Sequence, residues 1–264
     1  MLTIMKRKYI ILAVLLLSTI IYSCEKNAVQ VIAKPVSGAQ VKFFNFALSA
    51  PSVNFYANTT KVSATSSTTG AESTTGTAYA AVFPVTNAYA VFVPGAYDFT
   101  ARIPSTATAD ANLAIATINK QLVDGKNYSL YTSGLYNTTT KTAEVFIVDD
   151  NLPAVDTSGA YVRFVHASYN ANPFSLIMKN TTTNVETEVA TGVAYKSASS
   201  FFKLNSGVYN LILRYPGSST DVVVRTGVSL LKSFTYTFSL RGDITLPYTG
   251  TATNRPFIDN TPNR

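Results

Sequence analysis

Two short stretches constrain this chain more than any other feature. "QVKFFNFAL" runs from Gln40 to Leu48, and "YVRFVHASY" runs from Tyr161 to Tyr169. Val41, Phe43 and Asn45 align with Val162, Phe164 and His166 at a constant spacing of 121 residues (41 to 162, 43 to 164). Lys42 and Arg163 match on the other strand face. Val53, Phe55 and Ala57 match Phe174, Leu176 and Met178 at the same spacing. "PGAYDFTAR" (Pro94 to Arg102) then parallels "SGVYNLILR" (Ser206 to Arg214), and "YSLYTSG" (Tyr128 to Gly134) parallels "YTFSLRG" (Tyr236 to Gly242). Matched blocks in one order, repeating after about 100–120 residues, are too widely spaced for a solenoid, whose units run about 20–50. They predict two similar domains in tandem.

Each copy reads as β-structure. Aromatic and β-branched runs such as "SVNFYAN", "YAVFV" and "TAEVFIV" alternate with turn signals at Pro94-Gly95, Asp124-Gly125, Asn205-Ser206-Gly207 and Pro216-Gly217. Short, evenly spaced strands divided this way predict an all-β sandwich or barrel. In "AYDFTARI" Tyr97, Phe99, Ala101 and Ile103 share one face, because successive side chains of a strand point opposite ways. About seven strands are expected per copy. The one helix candidate, Ala109 to Val123, lacks a 3.6-residue apolar period and reads better as a strand. The expected domains are 38–150 and 158–248, joined through the polar stretch Asp149 to Gly159. Ser63 to Ala78 holds ten Ser or Thr in sixteen residues, so it has little to bury and is expected as a mobile surface loop. Residues 249–264 read as a polar tail.

The N-terminus carries an address. Lys6, Arg7 and Lys8 precede an apolar run, Ile10 to Ile21, shorter than the ~20 residues of a membrane-spanning helix. This is the pattern of a secretory signal over residues 1–23. Cys24 follows at once and is the only cysteine, so no intramolecular disulfide can form. Ile21-Tyr22-Ser23-Cys24 resembles a bacterial lipobox, with Tyr22 bulkier than usual at its position. The resemblance implies cleavage before Cys24, acylation of Cys24, and a tether over 24–37. An ordinary signal peptide with a free cysteine, or an uncleaved anchor, are the alternatives. Two or three acyl chains on one residue hold a protein on a membrane, each buried CH₂ contributing about 0.8 kcal/mol.

Charge and site chemistry exclude several classes. Of 21 basic residues, three lie in the leader and the rest form no run, so no nucleic-acid surface is expected. His166 is the only histidine, and Asn45 holds its place in the first copy. Asn and His can both hydrogen-bond a loop backbone group, but Asn cannot act as a base. The pair Asn45 and His166 therefore reads as a structural strand-end joint, and His166→Asn is expected to be nearly silent. No nucleophile setting, metal site or cofactor motif is expected, and the chain reads as a non-enzyme. A Ca²⁺ site from Asp149, Asp150, Asn151 and Asp156 is the alternative in the linker. Glu186 and Glu188 share one strand face, read as solvated. Tyr97 and Tyr209, at matched positions, read as packing residues.

The repeated "QVKFFNFALSAPSVNFYA" and "YVRFVHASYNANPFSLIM" blocks, with their "PGAY" and "SGVY" turns, resemble the bacterial domain of unknown function 4397. That resemblance covers about Ala39 to Gly242. It implies an immunoglobulin-like sandwich in each copy and an envelope lipoprotein, and it brings no catalytic residues. The expected role is a non-enzymatic lipoprotein of the outer membrane that binds or spaces another surface component, protein or glycan. A fimbrillin-type pilus or adhesin subunit and a glycan-binding accessory lipoprotein are the alternatives.

Overall fold

The computed structural model describes residues 37–63, 75–85 and 87–264. Cys24, with the leader and nearly all of the tether, lies outside the described residues, as does the interior of the Ser/Thr-rich loop. Among the described residues there are eighteen strands and no helix. The first copy contains β1 (Ala39–Asn45), β2 (Asn54–Ala57), β3 (Thr60–Lys61), β4 (Ala81–Phe83), β5 (Ala90–Phe92), β6 (Gly95–Arg102), β7 (Ala114–Leu122), β8 (Asn127–Asn137) and β9 (Thr142–Asp149). The second contains β10 (Ala160–His166), β11 (Phe174–Asn180), β12 (Glu186–Val193), β13 (Ser197–Ala198), β14 (Phe202–Leu204), β15 (Gly207–Arg214), β16 (Val223–Leu230), β17 (Thr235–Arg241) and β18 (Phe257–Pro262). Nine strands are found per copy against the seven expected, and one of the two additional strands arises because the edge strand beside β1 is broken into β4 and β5, as its counterpart is into β13 and β14.

Each copy is an all-β, immunoglobulin-like sandwich of two sheets. In the first, β4-β1-β8-β9 with β5 on β1 faces β3-β2-β6-β7. In the second, β13-β10-β17-β18 with β14 on β10 faces β12-β11-β15-β16. The first strand of each copy runs parallel to a late one, β1 to β8 and β10 to β17. Among the described residues, no sheet mixes strands of the two copies.

Alternation builds the cores. Val41 and Phe43 of β1 turn inward onto Val53, Phe55 and Phe99, with the Phe43 and Phe55 ring centroids 5.0 Å apart. Val162 and Phe164 meet Phe174, Leu176 and Leu211 in the second sandwich. The matched turns are stitched alike. The Tyr97 hydroxyl donates to the Val93 carbonyl at 2.9 Å, and that of Tyr209 to Asn205 at 3.0 Å. This is the corner device by which a tyrosine at a strand start holds the preceding turn. The backbone N–H of Val123 donates to the Tyr128 hydroxyl, as that of Leu231 does to Tyr236.

One sequence expectation is corrected and another is narrowed. The tail 249–264 is not merely polar: it ends in β18, which pairs with β17 from Tyr236–Pro262 to Arg241–Phe257 and buries Ile258. The Ser/Thr-rich loop is pinned at both ends. Ser63 is buried and its Oγ accepts the Phe55 N–H at 2.8 Å, while Thr77 exchanges backbone bonds with Val53.

Candidate functional site

The strongest concentration of buried chemistry lies on the outer faces of β1 and β10, not at His166. A strand at the solvent side of a sandwich should be buried on one face. β1 and β10 are buried on both, because the β1-β8-β9 face of one sandwich packs on the β10-β17-β18 face of the other. Phe44, Phe46, Tyr131, Phe146, Val165 and Ala167 form the apolar part of this seam. Phe44 and Phe146 stack on opposite sides of Tyr131, with centroids at 4.2 Å and 4.9 Å.

Two cations enter the seam from matched positions. Lys42 Nζ donates to the Pro262 carbonyl at 2.9 Å, and Arg163 Nη1 donates to the Asp149 carbonyl at 3.3 Å. Pro262 and Asp149 are themselves equivalent, since they face Tyr236 and Tyr128 in the β17–β18 and β8–β9 ladders. Lys42 lies over the Tyr89 ring at 4.8 Å, and Arg163 over Phe201 at 4.9 Å. The seam is thus a pseudo-two-fold contact, in which each copy presents the same surface to the other, as in an isologous dimer interface.

One substitution breaks that symmetry. Asp150 follows β9, and Asn263 follows β18 in the same place. The backbone N–H of Asp150 donates to Asn127 and that of Asn263 to Thr235. Asp150 receives an ion pair from Arg163, and both side chains are almost fully buried. A ring of hydrogen bonds then closes across the seam. Arg163 Nε donates to Thr237 Oγ1 at 2.9 Å, and Thr237 donates to Asn263 Oδ1 at 2.6 Å. Asn263 Nδ2 donates to the Tyr89 hydroxyl at 2.6 Å, which donates to Asp150 Oδ2 at 2.8 Å. Ser129 adds a further bond to Asp150. Each donor of the ring meets an acceptor, from the guanidinium of Arg163, which only donates, to the carboxylate of Asp150, which only accepts, and this is the condition under which a buried polar network stabilises one geometry. Lys42 feels the same carboxylate through its field: burial drives its ammonium down to about 8, with the charge of Asp150 opposing the shift.

Two clefts open beside this ring, at pseudo-equivalent places. One, of about 570 Å³, has Asp149, Asn151, Arg163, Ser199 and Phe201 in its wall. The other, of about 490 Å³, has Gln40, Tyr89, Asn127, Leu152 and Asn263.

The family of the repeat agrees with this geometry. The profile of a domain of unknown function, DUF4397, matches residues 39–177 and again 160–261. The chain belongs to this family. No curated protein matches it. The two DUF4397 matches together span both sandwiches, and their overlap falls on β10 and β11.

The residues singled out in the sequence of this DUF4397 chain stand as follows. Asn45 and His166 are the last residues of β1 and β10, both fully buried. Asn45 Nδ2 donates to the Thr77 carbonyl at 2.8 Å and its Oδ1 accepts from the Thr132 hydroxyl at 2.9 Å. His166 Nδ1 accepts the Ser168 N–H at 3.3 Å, which leaves the proton on Nε2 to point at the Asn172 carbonyl, 3.2 Å away. Burial pushes this imidazole down to about 4. The Phe164, Phe174 and Tyr195 rings pack around it. The linker carboxylates diverge: Asp149 pairs with Lys120, Asp150 with Arg163, and Asp156 with Lys203. Glu186 and Glu188 lie on an exposed face of β12, as expected, and Glu186 is ion-paired there with Arg214 and Lys179. Sequence reading missed the seam itself. Its signal was present in Phe44, Phe46 and Val165, apolar residues on the face that ought to have been polar.

Proposed function

We propose that this chain is a non-enzymatic, lipid-anchored protein of the cell envelope, in which two fused sandwiches act as one stiff body that presents or spaces a surface component. The observation that carries this reading is the buried seam. An interdomain contact built on a desolvated ion pair and a closed hydrogen-bond ring resists hinge motion, unlike the polar, mobile contacts common between domains. Such a body, placed behind an acylated Cys24, would hold its far end at a set distance from the membrane. The pilus-subunit reading is less well supported. β18, the strand nearest the C-terminus, is already paired with β17 within its own sandwich, so donating it to a neighbour would first require its withdrawal.

The anchor is tested through Cys24→Ala. The wild-type chain should incorporate labelled fatty acid and partition into detergent, and the variant should do neither. An unacylated wild-type mass would sink the anchor. Stiffness is tested separately, by the distribution of distances between spin labels on the two sandwiches: a single narrow distance is expected, and a broad one would overturn the spacer reading.

A further inference from the structure

We propose that the ledge formed by Arg225, Arg241 and Arg255 around Phe257 binds a phosphate-type oxyanion. Phe257 opens β18, in the segment that the sequence presents as a tail. The three guanidinium carbons lie 5.1, 5.2 and 5.0 Å from its ring centroid. Any two are therefore within about 10 Å of each other, close to the Debye length at physiological salt, so their repulsion is only partly screened. One carboxylate, Asp259, reaches them, and it is bound to Arg241 Nε at 2.6 Å. Arg225 and Arg255 donate instead to neutral carbonyls, of Ile258 and Tyr248, each at 2.6 Å. Arg214, on the neighbouring strand β15, shows the contrast: it is paired with both Glu186 and Asp221.

Holding β18 in place does not explain this arrangement. A bond to a backbone carbonyl can be donated by glutamine or lysine without crowding three positive charges. A guanidinium carries five N–H donors in a planar fork that matches an oxyanion bidentately, and each of these two spends one in its described bonds. All three lie against the one Phe257 ring, whose face attracts a guanidinium. Burial and the charge of Arg241 both push Arg225 down, though Asp259 opposes this, and an incoming dianion relieves that cost. The inference goes beyond the anchor and spacer reading and does not rest on it. The oxyanion could be free or the headgroup of a phospholipid; the chemistry is the same.

The test uses the full chain in an uncharged detergent, titrated calorimetrically with inorganic phosphate and, in a second arm, with a short-chain phosphatidic acid. Saturable binding is expected in at least one arm. Arg225→Gln/Arg255→Gln should weaken it by at least about tenfold. Lys232→Gln, which removes one exposed charge elsewhere, should change it less than about twofold. Arg255→Lys keeps the charge but loses the fork, and should fall between; it serves alone if the double variant does not fold. Binding of phosphate assigns a free oxyanion, and binding of the lipid alone assigns a headgroup. No saturable binding in either arm, or binding equal in wild type and the folded variants, overturns the site.

Discussion

The two sandwiches share a fold and differ where they touch. Their matched tyrosines, turns and parallel strand pairs are interchangeable in kind, but Asp150 in one copy is Asn263 in the other. The same holds at the strand ends: Asn45 faces Thr132 in the ladder, and His166 faces Leu240. The outer edges differ too. β12 runs from Glu186 to Val193, while its counterpart β3 is only Thr60–Lys61. Lys203 on β14 pairs with Asp156, while the matched position on β5 is the exposed Val91. Duplication kept the cores and let the polar chemistry of the faces diverge. The seam requires that divergence: a symmetric contact with Asp at both places, or Asn at both, would leave the ring of donors and acceptors with a surplus.

Making the copies alike at this point should do the most damage. Asp150→Asn gives the first copy the residue of the second and leaves Arg163 buried without its counter-charge. Removing one partner of a buried pair costs about 3–5 kcal/mol, since the charge that remains is neither solvated nor paired. Denaturant unfolding of the full chain should show this loss. Addition of Arg163→Met should restore much of it, because the stranded charge is then gone. An Asp150→Asn chain as stable as the wild type would mean that the ring contributes nothing to the seam.

Why the seam was hidden is a matter of what alternation can report. The repeat, the sandwiches and the inward positions Val41, Phe43, Val162 and Phe164 were readable, because a period of two separates one face from the other. Alternation does not say what covers the outer face. Lys42 and Arg163 were placed on the outer strand face, and only the facing sandwich removes each of them from water. β18 was hidden for a related reason. As a strand at the sheet edge it needs few buried apolar residues, and in it only Ile258 is a fully buried one. Pro262 sits at its last position, where a missing N–H matters little. Asp150 read as linker because a carboxylate's partner 13 positions away (150 to 163) leaves no local pattern.

The second comparison concerns the two cations. Arg163 has Asp150 directly, and Lys42 does not. In the folded chain Lys42 titrates near 8 rather than the ordinary 10.5. Between those values the unfolded chain holds the proton and the folded chain does not, so stability rises with pH across that window. Below pH 8 both forms are protonated and the cost of burying the charge is constant. The rise should be about 2 kcal/mol between pH 7.5 and pH 10, measured as the difference between wild type and Lys42→Met at those two values. Other groups titrate in this range, but they cancel in that difference. A difference that stays flat from pH 7.5 to 10 would place Lys42 in water, and the pseudo-two-fold contact with it.

The smallest effect separates the strand ends. On sequence alone His166→Asn should be nearly silent, because Asn45 occupies the matched place. The structure alters that expectation. Asn45 satisfies its Oδ1 through the Thr132 hydroxyl, and the residue opposite His166 is Leu240. An asparagine placed there is shorter than the imidazole and cannot hold both the Ser168 N–H and the Asn172 carbonyl, and one partner left unpaired costs about 1–2 kcal/mol. Acidity then distinguishes the two residues. His166 titrates near 4 in the fold against 6.5 in the unfolded chain, so the unfolded state takes up more protons as pH falls from 6.5 towards 4, and the wild type loses stability over that window. Asparagine has no such dependence. The single variant should therefore melt below wild type at pH 7, draw level as the solution is acidified, and overtake it before pH 4. If the two melting curves stayed parallel from pH 7 to 4, His166 would have to be exchanging protons as freely in the fold as in the unfolded chain. The sealed strand end described by its bonds to Ser168 and Asn172 would then be wrong.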